Sequence, residues 1–311
     1  MKNLACILAG RVAAISLAAA SLCCAFLLLA QVCAAQGMNT LEGARMDPNP
    51  STAMVDAGFR DLYELRFDAA RAKFSSYRDM QPTDPLGKAA EAASYLYEEF
   101  NAKGVLTSQF FLNDAKFLGG ADGSASANHN EAFLVSNREA RDMAREILKS
   151  NPRDPRALLI LTMTDGMESN YDAVIEKKQV AGLGLMRQAE GEAKTLLAID
   201  PKAEDAYVAL GMSNYVIGCL PGYKRAFLWF GGIHGDRARG IQQLRLAAEN
   251  GHYLQPFAQI MLALAYEREH QDALALPLLA DLAAEFPANP IFARELALLH
   301  RHLASGTPSG N

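Results

Sequence analysis

The residues best able to do chemistry in this chain of 311 residues are few, and their spacing suits no reaction. His300 and His302 are two apart, and on a helix that spacing sends their side chains to different faces, so they make a poor metal clamp. His129, His234, His252 and His270 are scattered without ligand spacing. Glu267 and Glu269 diverge like the histidine pair and read as solvated charge rather than as paired catalytic carboxylates. Beyond residue 36 the chain keeps a single cysteine, Cys219, too few for a thiolate cage. HExxH, GxSxG and P-loop patterns are absent, and Gly182-Leu183-Gly184 lacks the third glycine of a dinucleotide fingerprint. No metal and no cofactor is expected, and an enzyme is not.

Binding chemistry is what remains. The segment Tyr223-Lys224-Arg225-Ala226-Phe227-Leu228-Trp229-Phe230 holds the only tryptophan and is closed by Gly231-Gly232. Phe227, Trp229 and Phe230 have two readings. One is a short helix that plugs a gap in the fold, since aromatic side chains are usually core. The other is an aromatic lid, or a surface that touches a membrane or partner with cations at its edge.

Composition bounds the partners. Hydrophobic residues make up 50% and charged residues 21%, the balance of a packed rather than disordered chain. Lys2 and Arg11 precede an uncharged run from Val12 to Ala30, and Cys33-Ala34-Ala35 fits a small-residue cleavage site, so residues 1–35 read as a secretory signal. The run is also close to bilayer-spanning length, which keeps an uncleaved anchor open. Either reading places the remainder outside the cytoplasm, periplasmic or secreted. Four of the five cysteines fall in that segment, so the rest has no internal disulfide and must be held by apolar burial. Without Lys2 and Arg11 the 30 positive and 35 negative side chains become 28 and 35, an acidic balance that argues against nucleic acid.

Residues 36–50 are polar with two prolines and read as a linker. Beyond them one spacing recurs: a small residue, a packing residue four later and a proline eight after that. It appears as Ala70–Phe74–Pro82, Ala140–Ala144–Pro152, Ala189–Ala193–Pro201 and Ala275–Leu279–Pro287. Small residues let two helices cross closely, and the packing residue fills the space one turn on. Gly58, Ala92, Gly211 and Ala263 do the complementary job on the preceding helix. Helices are predicted over Ser51–Glu64 and Phe67–Met80, with Pro85 opening the next at its first turn. Pro277 falls inside a predicted helix, where it should delay the start or kink it. Strand alternation is absent.

This pattern resembles the tetratricopeptide repeat (TPR), over residues 51–303. The resemblance implies an all-α, right-handed α-solenoid of about twelve helices in degenerate TPR-like pairs, interrupted near 101–130 and 217–235, with a disordered tail at 304–311. Asp61 stands where the first unit's aromatic is expected, and His300 falls at the aromatic packing position of a further helix. In TPR units the first helix of each pair lines the concave groove. Mapped here, that face is Phe59, Leu62 and Tyr63; Leu159, Met163 and Met167; Val208, Met212 and Tyr215; Phe257, Ile260 and Leu264. The set is mostly apolar and lacks the Lys- and Asn-rich pattern of carboxylate-clamping TPR grooves. Leu220-Pro221 followed by Gly235-Asp236 also resembles bacterial exported TPR proteins. The implied function is a non-catalytic protein–protein interaction scaffold in the cell envelope. The alternative is an apolar-ligand-binding subunit of a periplasmic transport system, its groove roofed by residues 217–235.

Overall fold

Pro50–Tyr63 (α1) and Phe67–Met80 (α2) begin a computed structural model that describes residues 50–123 and 126–305. The packing described below is that of the compact unit 54–311. The signal or anchor expected at 1–35 and the linker up to residue 49 lie outside the described residues. Of the tail expected at 304–311, Ala304 and Ser305 still belong to a helix and the rest lies outside.

The described residues are all-α, with fourteen helices and no strand. After α1 and α2 come α3 (Leu86–Ala102), two short helices α4 (Ser108–Phe111) and α5 (Asp114–Gly119), α6 (Ala127–Ser150), and α7 (Pro155–Asn170), which a π-helical turn prolongs over Tyr171–Ile175. Then follow α8 (Gln179–Ile199), a 3-10 turn (Glu204–Ala206), α9 (Tyr207–Cys219), α10 (Gly222–Phe230), α11 (Arg237–Asn250), α12 (Gln255–Arg268), α13 (Asp272–Glu285) and α14 (Pro290–Ser305). The fourteen exceed the dozen or so that the sequence leads one to expect, and the short α4 and α5 lie inside the interruption near 101–130. Successive long helices from α2 to α14 pack on one another, with α3 on α6 past α4 and α5, and α9 on α11 past α10.

The recurring spacing marks the helix crossings. Ala70, Ala140, Ala189 and Ala275 are buried, and so are Phe74, Ala144, Ala193 and Leu279 one turn later. The turns that join paired helices repeat as well. After α1, Arg66 N–H reaches the Asp61 carbonyl at 2.8 Å and Leu65 N–H that of Leu62 at 3.0 Å; after α12, Gln271 N–H reaches Tyr266 at 2.8 Å and His270 N–H reaches Glu267 at 3.0 Å. This is the Schellman closure, and it puts Leu65 (φ 61°) and His270 (φ 57°) in the left-handed region. Asp61 and Tyr266 thus occupy the same place in two helix pairs. The carboxylate of Asp61 is buried there with Arg66 and Lys73 as ion partners.

Two local expectations are corrected. Helix α13 begins at Asp272 and runs through Pro277, so the proline does not delay its start. His300 is exposed, and Leu299 fills the packing position, fully buried. The helix register is therefore one residue earlier than the count from Pro287 implied.

The first and last helix pairs touch. Asn289 Nδ2 donates to the Tyr63 carbonyl at 2.8 Å, and Arg60 Nη2 to the Glu285 carbonyl at 2.9 Å. Ser108 at the start of α4 donates through Oγ to Glu295 on α14 at 2.5 Å. These bonds bring α1 beside the end of α13 and the turn into α14, and α4 beside α14.

Candidate functional site

On α7, Met163, Gly166, Met167 and Asn170 are spaced to share one face. They line a cavity whose other walls come from Phe59 and Tyr63 on α1, Leu96 and Tyr97 on α3, Val208 and Met212 on α9, and Phe257 on α12. The cavity proper is about 80 Å³, and the atom-free space reaches about 830 Å³ only when open solvent at its mouth is counted in. Phe59, Leu62, Tyr63, Met163 and Val208 are buried in its wall, whereas Met167, Met212 and Phe257 are half-buried. The structure therefore brings Phe59, Tyr63, Met163, Met167, Met212 and Phe257 together around one void, with Leu62 and Val208. Leu159, Ile260 and Leu264 do not line it.

Several polar groups in this wall are occupied elsewhere, whereas the Tyr97 hydroxyl is buried there without a hydrogen-bond partner and Asn170 adds a half-buried amide. Thr162 Oγ1 donates to the Leu158 carbonyl at 2.9 Å, Ser169 Oγ to that of Gly182 at 2.7 Å, and Tyr63 OH to that of Tyr253 at 2.9 Å. Asp205 accepts the backbone N–H groups of His252, Tyr253 and Leu254 at 2.8, 3.0 and 3.1 Å. Burial pushes its carboxyl above the usual range against the pull of those three donors. With its hydrogen-bonding capacity turned into the protein, Asp205 is a structural cap and not a catalytic base. The inner surface offers mostly hydrocarbon, aromatic edges and thioether sulfur, with the Tyr97 hydroxyl and the Asn170 amide as its polar groups.

Tyr215 stands apart from the other groove residues. It is fully buried, and the ring of Phe111 lies nearly parallel to it, with centroids 6.3 Å apart and planes 9° apart. Tyr215 OH donates towards the Ala265 carbonyl at 3.3 Å. Arg268 holds the covering segment down: Nη1 donates to the Phe111 carbonyl at 2.7 Å, the guanidinium lies over the Phe117 ring, and Asp114 is its ion partner. One part of the groove face is thus filled by the chain itself, from the interruption near 101–130 and not from 217–235.

No residue of 217–235 lines the cavity. Helix α10 has no buried residue, and Phe227, Trp229 and Phe230 are exposed, so the reading of a buried plug does not hold. Tyr223, Phe227 and Phe230 have the spacing of an amphipathic helix, but such a spacing does not say which way the apolar face turns. Cys219, just before α10, is buried and free, and burial raises its thiol away from the reactive range.

Sequence reasoning missed the ionic layer behind the cavity wall. On the opposite side of α7, Asp165 pairs with Arg141 Nε of α6 at 2.7 Å, and Glu168 with Arg141 Nη2 at 2.5 Å. Asn137 Nδ2 donates to the Thr164 carbonyl at 3.1 Å and to Glu168 at 3.0 Å. Burial, and then the charge of Asp165, push the Glu192 carboxyl on α8 up to about 8. These charges pin α6, α7 and α8 together and fix the face that α7 turns to the void. Polar residues at i and i+3 inside an apolar stretch were the available signal.

Among the described residues no group of three or more His, Cys, Asp and Glu side chains is placed to hold a metal ion, and no helix is long and apolar enough to cross a membrane. Comparison with family models, with curated proteins and with solved structures gave no match.

Proposed function

We propose that the chain is an exported, non-catalytic binding protein of degenerate TPR-like helix pairs whose concave face holds an apolar small molecule. One observation carries this reading: side chains as deeply buried as Phe59, Leu62 and Met163 face an unfilled, apolar space. A void lined by apolar groups stays dry, so an apolar guest gains contacts there without displacing well-held water. Two half-buried methionines in the wall adapt to irregular hydrocarbon shapes. A protein–protein scaffold, the reading that helix pairs alone favour, needs a groove open along its length for a partner segment. Contact between the first and last pairs, and the cover that Phe111 places on Tyr215, leave room for a slender ligand instead.

The fluorescent apolar probe N-phenyl-1-naphthylamine tests this with the full chain. Gly166 lines the void, and a β-carbon there meets nothing within 4 Å, so the backbone accepts a side chain at 166 and Gly166→Leu extends it into the space. Wild type is expected to bind the probe with enhanced emission, and Gly166→Leu to lose it. Glycine in a helix interior is unfavourable by about 0.5–1 kcal/mol against alanine, so the variant should be no less stable. Absence of probe binding by wild type, or unchanged binding by a folded Gly166→Leu, would overturn the reading.

A further inference from the structure

Helix α10 carries its apolar face outward. Tyr223, Phe227 and Phe230 are spaced i, i+4 and i+7, share one side of the helix, and are 74%, 79% and 83% exposed. Trp229 flanks them, its ring edge-on to Phe230 with centroids 5.5 Å apart. The opposite side faces the protein through half-buried Leu228 and through Arg225, whose Nη1 donates to the Gly218 carbonyl at 3.3 Å. A helix that packs on a core does the reverse. The other exposed large hydrophobics among the described residues, Met80, Val135, Val180, Leu274 and Leu303, sit one to a helix. Only α10 gathers them.

Charge narrows what the face meets. The chain as a whole is acidic, yet no Asp or Glu occurs between Asp205 and Asp236, where Lys224 and Arg225 lie. The stripe from Tyr223 to Phe230 is about 10 Å long. A stable protein partner needs about 800 Å² on each side, far more than such a stripe offers. A bilayer surface needs less: rings that enter the headgroup boundary by about 5–10 Å, with cations beside them. Tyrosine and tryptophan are at home at that level, where one end of the ring is wet.

We propose that α10 docks the protein on an anionic lipid bilayer. Phe227 and Phe230 enter the acyl boundary, Tyr223 and Trp229 lie among the headgroups, and Lys224 faces the lipid phosphates. This assignment is independent of what the cavity holds.

Trp229 is the only tryptophan, so the emission of the full chain reports α10 alone. Vesicles of mixed phosphatidylcholine and phosphatidylglycerol should shift its emission to the blue, and brominated acyl chains should quench it. Phosphatidylcholine alone should shift it less. Phe227→Ser combined with Phe230→Ser should weaken vesicle binding at least about tenfold, since each ring removed from an apolar phase forfeits that much. Lys224→Gln should weaken it about fivefold on anionic vesicles only. These residues are exposed, so circular dichroism should be unchanged in both variants. Unshifted emission in the presence of vesicles would overturn the proposal, even if the chain binds them through another segment. A shift that survives the double substitution, or one that appears on concentrating the protein without lipid (a second copy covering the face), would overturn it equally.

Discussion

The ring of Phe74 occupies the place that a side chain on Gly58 would need: a β-carbon there would lie 2.4 Å from Phe74 Cε1. The exchange recurs between α9 and α11, where a β-carbon on Gly211 would lie 2.8 Å from Leu244 Cγ. In each crossing one helix has given up its side chain so that the other can push a large one against its backbone. Gly58→Ala should therefore destabilise by about 1–3 kcal/mol through overpacking, although alanine is the better helix former. Phe74→Ala should lose about 3–5 kcal/mol through the cavity it leaves. Urea unfolding of the full chain measures both. A Gly58→Ala variant as stable as wild type would mean that the crossing is not held at this contact.

That relationship also marks how far the sequence could be read. The small residue at a crossing and its large partner leave a spacing, because close approach forbids anything larger at one position and rewards bulk at the other. The crossings of Ala70, Ala140, Ala189 and Ala275 were legible for that reason, as was the face that brings Phe59, Met163 and Met212 together. Three things left no such trace. The outward turn of α10 did not, since the same period serves an apolar face turned in or out. Nor did the reach of Phe111 to Tyr215, which depends on where a short helix far away in the chain comes to rest. The Arg141–Asp165 pair sits on two helices whose charges look solvated until their faces are known.

The turns between paired helices hold a non-glycine residue where glycine is the natural choice. His270 is exposed and has φ 57°, a conformation in which a β-carbon crowds the following carbonyl by about 1–2 kcal/mol. His270→Gly should raise stability by about 1 kcal/mol, less some gain in unfolded-chain entropy. Leu65→Gly is the contrast: its φ is 61°, but the side chain packs against the core, so strain relief and lost burial oppose each other. The two variants in one thermal-unfolding series should differ in sign or clearly in size. If His270→Gly destabilises, the left-handed closure after α12 is not where strain is held.

Stability should fall as the pH rises through neutrality. Glu267 on α12 is buried, which corrects its reading as solvated charge; its Oε1 has no hydrogen-bond partner, and burial pushes its carboxyl from 4.5 up to about 8, with the Glu295 and Asp272 carboxylates adding to the shift. The folded chain then holds a proton that the unfolded chain has released. This contribution is fully present below 4.5 and is lost as the pH rises to about 8. The slope is about 1.4 kcal/mol per pH unit for one such group. Glu192, pushed up to about 8 by burial and by Asp165, adds in the same window. Glu267→Gln should flatten the profile and exceed wild type at the alkaline end, as followed by urea midpoints across the range. Parallel profiles would remove Glu267 from the account.

Met212 separates a filled groove from an empty one. It lies half-buried on α9 in the wall of the cavity, where Met167 and Phe257 also stand. Had residues 217–235 folded over this position, a charge there would be sealed in and would cost several kcal/mol. None of those residues lines the cavity, so a glutamate at 212 can turn its carboxylate out to water. Met212 packs partly on the core, so Met212→Glu is expected to lose about 1–2 kcal/mol of stability, less than a sealed-in charge would cost. It should also place a negative charge beside an apolar site, and N-phenyl-1-naphthylamine binding should drop by at least about tenfold, the price of bringing hydrocarbon up to a hydrated carboxylate. Unfolding of the variant would mean that position 212 is covered by the chain after all. A stable variant that binds the probe as wild type does would put the binding site somewhere other than the void between α1, α3, α7, α9 and α12.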